Sequence, residues 1–133
     1  EFVEGGLRTA DYEAIVPLFE RAGMDMLNVS AGVYASMERV VPPPSLGETP
    51  HVYLAEAIKA FTDVPVCAVG AIFSIATVEE ILTSAQADLC AMGRAQMADP
   101  SIVRKSFDGR EDEITRCMKC NACTSVPSKA ALS

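Results

Sequence analysis

Residues 87–100 read Ala-Asp-Leu-Cys-Ala-Met-Gly-Arg-Ala-Gln-Met-Ala-Asp-Pro, and how that stretch is punctuated decides the fold. Leu89 to Met92 is a short apolar run with no helical period, and it stops at Gly93-Arg94. It reads as a buried strand that delivers a glycine and a fixed cation to its C-terminal end. Such an end can hold a phosphate: glycine lets the backbone approach an anion, N–H groups of the next turn can face it, and Arg94 can add a two-pronged charged contact. A bare tight turn would use the same glycine, so the neighbouring segments have to decide.

Upstream, the same pattern occurs twice more. Asp25 to Ser30 reads as a strand ending at Ala31-Gly32, and Val64 to Val69 as a β-branched strand ending at Gly70-Ala71-Ile72. The segments between them carry helical signals. Thr9 is placed to cap a helix with Asp11 and Glu13 in its first turn, and Ile15, Val16, Phe19 and Ala22 fall at helical spacing before Gly23 stops it. Pro17 lies inside that helix, where it should cost about 3 kcal/mol or bend it. Thr49-Pro50 starts a second helix with Leu54, Ile58 and Phe61 as its buried stripe. Thr77 and Glu80 are spaced as a capping box for a third, and Asp99-Pro100 opens a last helix through Phe107, closed by Gly109. Ala31 to Pro50, with four prolines, is expected to be a loop without regular structure, of a length that is usually functional or mobile.

Strand, loop and helix thus recur three times, which predicts a parallel sheet covered by helices. Ligands of such sheets sit beyond the strand C-termini, and two adjacent strands ending in glycine match the phosphate site that barrels build after their last two strands.

The 133 residues suit one domain able to bury roughly two-thirds of its unfolded surface if complete. There is no initiator Met, and Glu1-Phe2 is a common cloning remnant, so a fragment is expected. No run of about 18 apolar residues and no basic-then-apolar leader is present, so neither a membrane span nor a secretory signal is expected, and the cytoplasm is the expected location. A formal charge of −7 argues against a nucleic-acid partner. It leaves a phosphate ligand open, because surface charge is screened beyond about 8 Å.

Five cysteines fall in two groups. Cys67 and Cys90 lie in apolar strands and read as inert buried thiols. Cys117, Cys120 and Cys123 are three thiols within seven residues, able to converge on one metal or cluster. His51, the one histidine, precedes a helix and reads as an exposed helix-start residue rather than a catalytic acid. Asn28 and Ser30 sit near the sheet's mouth, where ligand contact and loop hydrogen bonding are both open. Glu111, Asp112 and Glu113 read as a solvated run.

Taken together, Gly23-Met24-Asp25 with Val29-Ser30-Ala31-Gly32, Pro65-Val66 with Val69-Gly70-Ala71-Ile72, Ala87-Asp88 with Met92-Gly93-Arg94-Ala95 and Asp99-Pro100, and Cys117-Met118-Lys119-Cys120-Asn121 resemble the old yellow enzyme family. More narrowly, they resemble its iron-sulfur branch, the NADH:flavin oxidoreductases related to 2,4-dienoyl-CoA reductase. The resemblance implies the C-terminal portion of a (β/α)8 TIM barrel over residues 1–110, about the last three βα units, followed by a cysteine-containing tail over 111–133.

It also implies FMN as cofactor and NAD(P)H as co-substrate, with the FMN phosphate held around Gly70, Ala71, Ile72, Gly93 and Arg94. Ala71 stands where many relatives have a second glycine. Cys117, Cys120 and Cys123 would be the remnant of a [4Fe-4S] site whose fourth thiol is missing, left empty or holding adventitious zinc. Acceptors would be activated alkenes or related small molecules. The acid groups and most of the ring pocket belong to earlier strands, so no catalytic residue is expected here. The alternatives are a catalytically inactive partial barrel and another phosphate-binding barrel flavoenzyme, such as a dihydroorotate-dehydrogenase-like protein. The open sheet edges are expected to drive self-association.

Overall fold

A computed structural model describes residues 2–124. Three parallel strands, β1 (Leu27–Val29), β2 (Val66–Val69) and β3 (Leu89–Ala91), form one sheet in sequence order. Leu27 pairs with Val66 and Val29 with Ala68; on the other side Cys67 pairs with Leu89 and Val69 with Ala91. All three strands are shorter than the segments expected for them, 25–30, 64–69 and 89–92.

The helices are α1 (Tyr12–Arg21), α2 (Met37–Val40), α3 (Val52–Lys59), α4 (Ile75–Thr83), α5 (Arg94–Ala98) and α6 (Ile102–Phe107). The central strand is covered on both faces, with Val66, Cys67 and Ala68 buried, and Val52, Ala55, Ile72, Ile81 and Ala87 pack around it. The outer strand β3 is less covered than its apolar sequence suggests: Leu89 is 44% exposed and Cys90 half-buried, as on the edge of a three-stranded sheet.

Several local expectations change. A 3-10 turn over Thr9–Asp11 precedes α1, and the Asp11 carboxylate accepts the Arg8 N–H at 2.6 Å, so the cap sits one residue before Thr9. The helix α1 runs through Pro17 without breaking. Both glycine stops hold, in the same form. Gly23 N–H donates to Glu20 O and Met24 N–H to Phe19 O; Gly109 and Arg110 repeat the pattern on Ser106 O and Lys105 O.

The helix α3 begins at Val52 rather than at Pro50, with His51 as its N-cap. Ser74, not Thr77, caps α4, its Oγ accepting the Thr77 N–H at 3.1 Å. The proline-rich stretch between β1 and α3 is not featureless either: it holds α2 and two 3-10 turns, Tyr34–Ser36 and Pro44–Leu46.

Two aspartates anchor the sheet and the chain that leaves it. Asp88 N–H donates to Val66 O at 2.8 Å while its Oδ2 accepts the Val66 N–H at 2.9 Å, clasping the start of β3 to the start of β2. Lys59 completes the clasp at 2.7 Å. Buried Asp99 accepts from Ser101 N–H at 3.0 Å, from Thr115 N–H at 2.9 Å and from Lys105 Nζ at 2.6 Å. Thr115 lies beyond α6, so this carboxylate turns the chain back towards the ends of the strands. Glu111, Asp112 and Glu113 are exposed, as expected of a solvated run.

Candidate functional site

The ends of β2 and β3 open onto a cavity of about 200 Å³. Its floor is the turn after β2, Gly70 to Phe73, and its wall is Gly93 and Arg94 after β3. All five residues singled out in the sequence, Gly70, Ala71, Ile72, Gly93 and Arg94, are therefore brought together. A water's share of liquid volume is about 30 Å³, so a phosphoryl group has room.

The first turn is shaped by two successive positive φ values, 127° at Gly70 and 53° at Ala71. Glycine adopts such angles freely, whereas alanine in the left-handed region costs about 1–2 kcal/mol. The alanine keeps its N–H, so the turn still offers a donor. A Cβ placed on Gly70 would come 2.8 Å from His51 Cδ2, so this glycine cannot be replaced without moving the ring behind it. A Cβ on Gly93 would meet nothing within 4 Å: the space above that residue is open, as a ligand approaching the backbone requires.

His51 departs from the expectation of an exposed residue. Its side chain is 2% exposed and packs behind the Gly70 turn, 5.8 Å from the Phe2 ring between centroids. Its ring lies 2.8 Å, through Nε2, from Arg39 O; a carbonyl can only accept, so Nε2 carries the proton. Nδ1 is buried without a hydrogen-bond partner among the described residues. The ring couples the proline-rich loop to the Gly70 turn. Sequence reasoning missed this because the contacts that bury His51 come from distant segments.

Arg94 does more than line the cavity. Nη1 donates to Pro42 O at 3.0 Å and to Asn121 Oδ1, while Asn121 Nδ2 donates to Val41 O at 3.3 Å. The guanidinium lies 5.0 Å from the centre of the Phe73 ring, and Lys119 Nζ lies at the same distance from that ring while pairing with Glu48. Asn121 and Lys119 sit in the cysteine-bearing segment, which therefore docks against the mouth of the cavity; Thr124 lines it directly. The Cys-x-x-Cys-Asn spacing was the signal available for Asn121, but nothing local in sequence ties it to an arginine 27 positions earlier.

The cysteines are placed differently from one another. Cys67 is buried and Cys90 half-buried, and desolvation pushes both thiols up. Cys117 is half-buried, its Sγ accepting the Lys119 N–H at 3.4 Å, while Cys120 and Cys123 are exposed. Among the described residues no group of three or more His, Cys, Asp or Glu side chains is placed to hold a metal ion. The three thiols do not fit a cluster in this arrangement. The position expected for a fourth ligand lies outside the described residues.

A second, larger cavity of about 440 Å³ flanks β1. Asn28 and Ser30 line it, but mostly among apolar side chains such as Leu7, Leu27 and Leu54. Gly6 and Gly32 line it as well, but no arginine does. Among the described residues no helix is long and apolar enough to cross a membrane.

Comparison with known proteins places the chain in a family and a fold. The model of the NADH:flavin oxidoreductase / NADH oxidase family matches residues 4–113. The chain is 40% identical over 121 residues to an NADH oxidase of Thermoanaerobacter brockii, spanning 91% of this chain and 19% of that protein. It is 32% identical over 120 residues to a bilirubin reductase of Clostridium symbiosum, spanning 87% of this chain and 32% of the relative. Among solved structures, 2-naphthoyl-CoA reductase in complex with 2-naphthoyl-CoA superposes with a TM-score of 0.80 at 25% identity, over 90% of this chain and 18% of that one. The sheet and its helices thus form part of a (β/α)8 barrel, and the chain spans about a fifth to a third of the length of these relatives.

Proposed function

This chain belongs to the NADH:flavin oxidoreductase / NADH oxidase family, and from that premise we propose that it supplies the FMN phosphate site of an NAD(P)H-dependent oxidoreductase acting on activated alkenes or related small acceptors. The observation that carries the proposal is the 200 Å³ cavity at the C-terminal ends of two adjacent parallel strands, walled by the Gly70–Ala71–Ile72 turn and by Gly93 and Arg94. When bound, FMN supplies two-electron redox chemistry between a nicotinamide and the acceptor. The chain's own part is to hold the phosphate. The open backbone above Gly93 admits it, the two turns bring peptide groups around it, and Arg94 adds a charge-assisted contact.

Flavin-fluorescence titration of the natural-length polypeptide tests this. Wild type is expected to bind FMN more tightly than riboflavin, with inorganic phosphate competing for FMN alone. Arg94→Ala is expected to weaken FMN by about 10- to 100-fold, the range for one hydrogen bond to a charged group, and to leave riboflavin unchanged. Equal affinities of wild type for the two flavins would refute the assignment.

The second reading, a catalytically inactive partial barrel, concerns residues 1–133 taken alone. No paired acid groups line the cavity among its described residues. With added FMN, NADH oxidation by this chain is expected not to exceed that of free flavin. In its sheet, β1 and β3 are the outer strands, and edges of this kind recruit partners. Self-association through them, measured by light scattering, is part of the same proposal; a monodisperse monomer with cooperative unfolding would refute it.

A further inference from the structure

Arginine presents five N–H donors: two on Nη1, two on Nη2 and one on Nε. In Arg94 both Nη1 hydrogens are assigned, because that nitrogen has two acceptors, Pro42 O at 3.0 Å and Asn121 Oδ1. Among the described residues the other three donors meet no acceptor. Two of them, Nε–H and one Nη2–H, form the Nε–Nη2 edge, the flat two-pronged edge that matches a phosphate. The ring of Phe73 lies 5.0 Å from Cζ and packs against the guanidinium.

Asn121 is itself held from two sides. Its Nδ2 donates to Val41 O at 3.3 Å, and its backbone takes a φ of 59°, a left-handed conformation that asparagine tolerates better than most residues. The segment carrying it is tied down at Thr115 by Asp99 and at Lys119 by Glu48. Asn121 is therefore a second anchor, beside Pro42 O, for a guanidinium on a flexible stem.

We propose that Asn121 is a positioning residue for the anion site: by occupying one Nη1 hydrogen of Arg94 it leaves the Nε–Nη2 edge aimed into the cavity, so the cysteine-bearing segment sets the affinity of the phosphate pocket. The inference rests on the reading of the cavity as a phosphate site and goes further, assigning a role to a residue outside the barrel wall. A purely structural Asn121 would lower stability and weaken every ligand alike. A positioning Asn121 weakens only ligands that carry a phosphate, and only while Arg94 is present.

The test is a comparison of FMN and riboflavin affinities in the natural-length protein. Asn121→Gly removes the side chain and suits the left-handed backbone; Asn121→Ala is a second variant with the same loss, and thermal unfolding monitors the fold of each. The expected result is about a tenfold loss of FMN affinity with riboflavin unchanged, and no further loss when Asn121→Gly is added to Arg94→Ala. Equal losses for both flavins, an unchanged FMN affinity, or an undiminished effect in the Arg94→Ala background would overturn the inference. If wild type itself does not prefer FMN over riboflavin, the pocket assignment fails and the role of Asn121 falls with it. The wild-type result thus separates the two failures.

Discussion

Gly70→Ala puts the turn behind the cavity under the most direct strain. Two costs arise from the geometry. The first is backbone: a φ of 127° is open to glycine and sparsely populated by other residues, at about 1–3 kcal/mol. The second is steric. The new methyl carbon would sit 2.8 Å from His51 Cδ2 and 3.4 Å from Cγ, and the ring cannot retreat, being 2% exposed and bound to Arg39 O at 2.8 Å. Overpacking a closed site of this kind costs about 1–3 kcal/mol.

Together they predict a loss of about 2–6 kcal/mol, a large part of the 5–15 kcal/mol typical of a whole domain. Urea unfolding followed by circular dichroism reads it as a lower midpoint at constant slope. The steric part can be isolated. In a His51→Ala background the ring is gone, so Gly70→Ala should cost about 1–3 kcal/mol less than in wild type, a coupling that a double-mutant cycle measures. A loss below about 1 kcal/mol for the single variant would refute the backbone and steric argument alike. Strict additivity in the cycle would refute the steric half.

Ala71→Gly is expected to change stability by less than about 1 kcal/mol: relief of left-handed strain offsets the added freedom of the unfolded chain and the lost methyl contact. A loss above about 2 kcal/mol in the same assay would show that the methyl is needed for packing. Acid should destabilise the fold through Asp88 and Asp99. The Lys59 hydrogen bond first and the Val66 N–H second hold Asp88 below the usual carboxylate range, and Lys105 then Thr115 N–H do the same for Asp99. A carboxylate with a lowered folded-state pKa contributes stability that is fully present above its unfolded value, about 3.9, and lost as pH falls through the lower folded value. Asp88→Asn and Asp99→Asn should each flatten that limb in pH-dependent thermal unfolding; an unchanged slope would count against the clasp. Toward a thiol reagent, Cys120 and Cys123 should react first and Cys67 only on unfolding, since it is buried and its thiolate disfavoured. Prompt modification of all five in the native state would contradict the burial.

The parts of this fold that are legible in sequence are those set by neighbours along the chain. Strands β2 and β3 announce themselves as apolar runs ended by glycine, and Gly23 and Gly109 stop helices with hydrogen bonds made entirely within six residues. The five cavity residues emerged by the same logic, because a strand end fixes the turn after it. What stayed hidden is long-range or too short to show a period. Five-residue α5 completes barely more than one turn, so Gly93-Arg94 reads as a turn when it opens a helix. Ser74 and Thr77 both suit a cap, and only the backbone geometry chooses Ser74. His51 is buried by Phe2 and the Arg39 loop, and Asn121 reaches Arg94 only because Asp99 turns the chain back after α6.

The cavity depends on register more than on any single contact. Val69 lies opposite Ala91, so the turn beginning at Gly70 is level with Met92, and Gly93 stands one residue further out. The same register sets Gly93 level with Ala71. The opposite ends of the two strands are clasped by Asp88, which meets Val66 through both its backbone N–H and its carboxylate. A slip of one residue would move Gly93 by about 3.3 Å along the strand and turn every β3 side chain to the other face of the sheet. Such a slip would break both bonds of the clasp, and it would carry Arg94 away from Pro42 O and Asn121. The clasp at one end of the ladder and the arginine anchor at the other therefore hold the same coordinate, so the shape of the cavity depends on Asp88 as well as on the residues that line it.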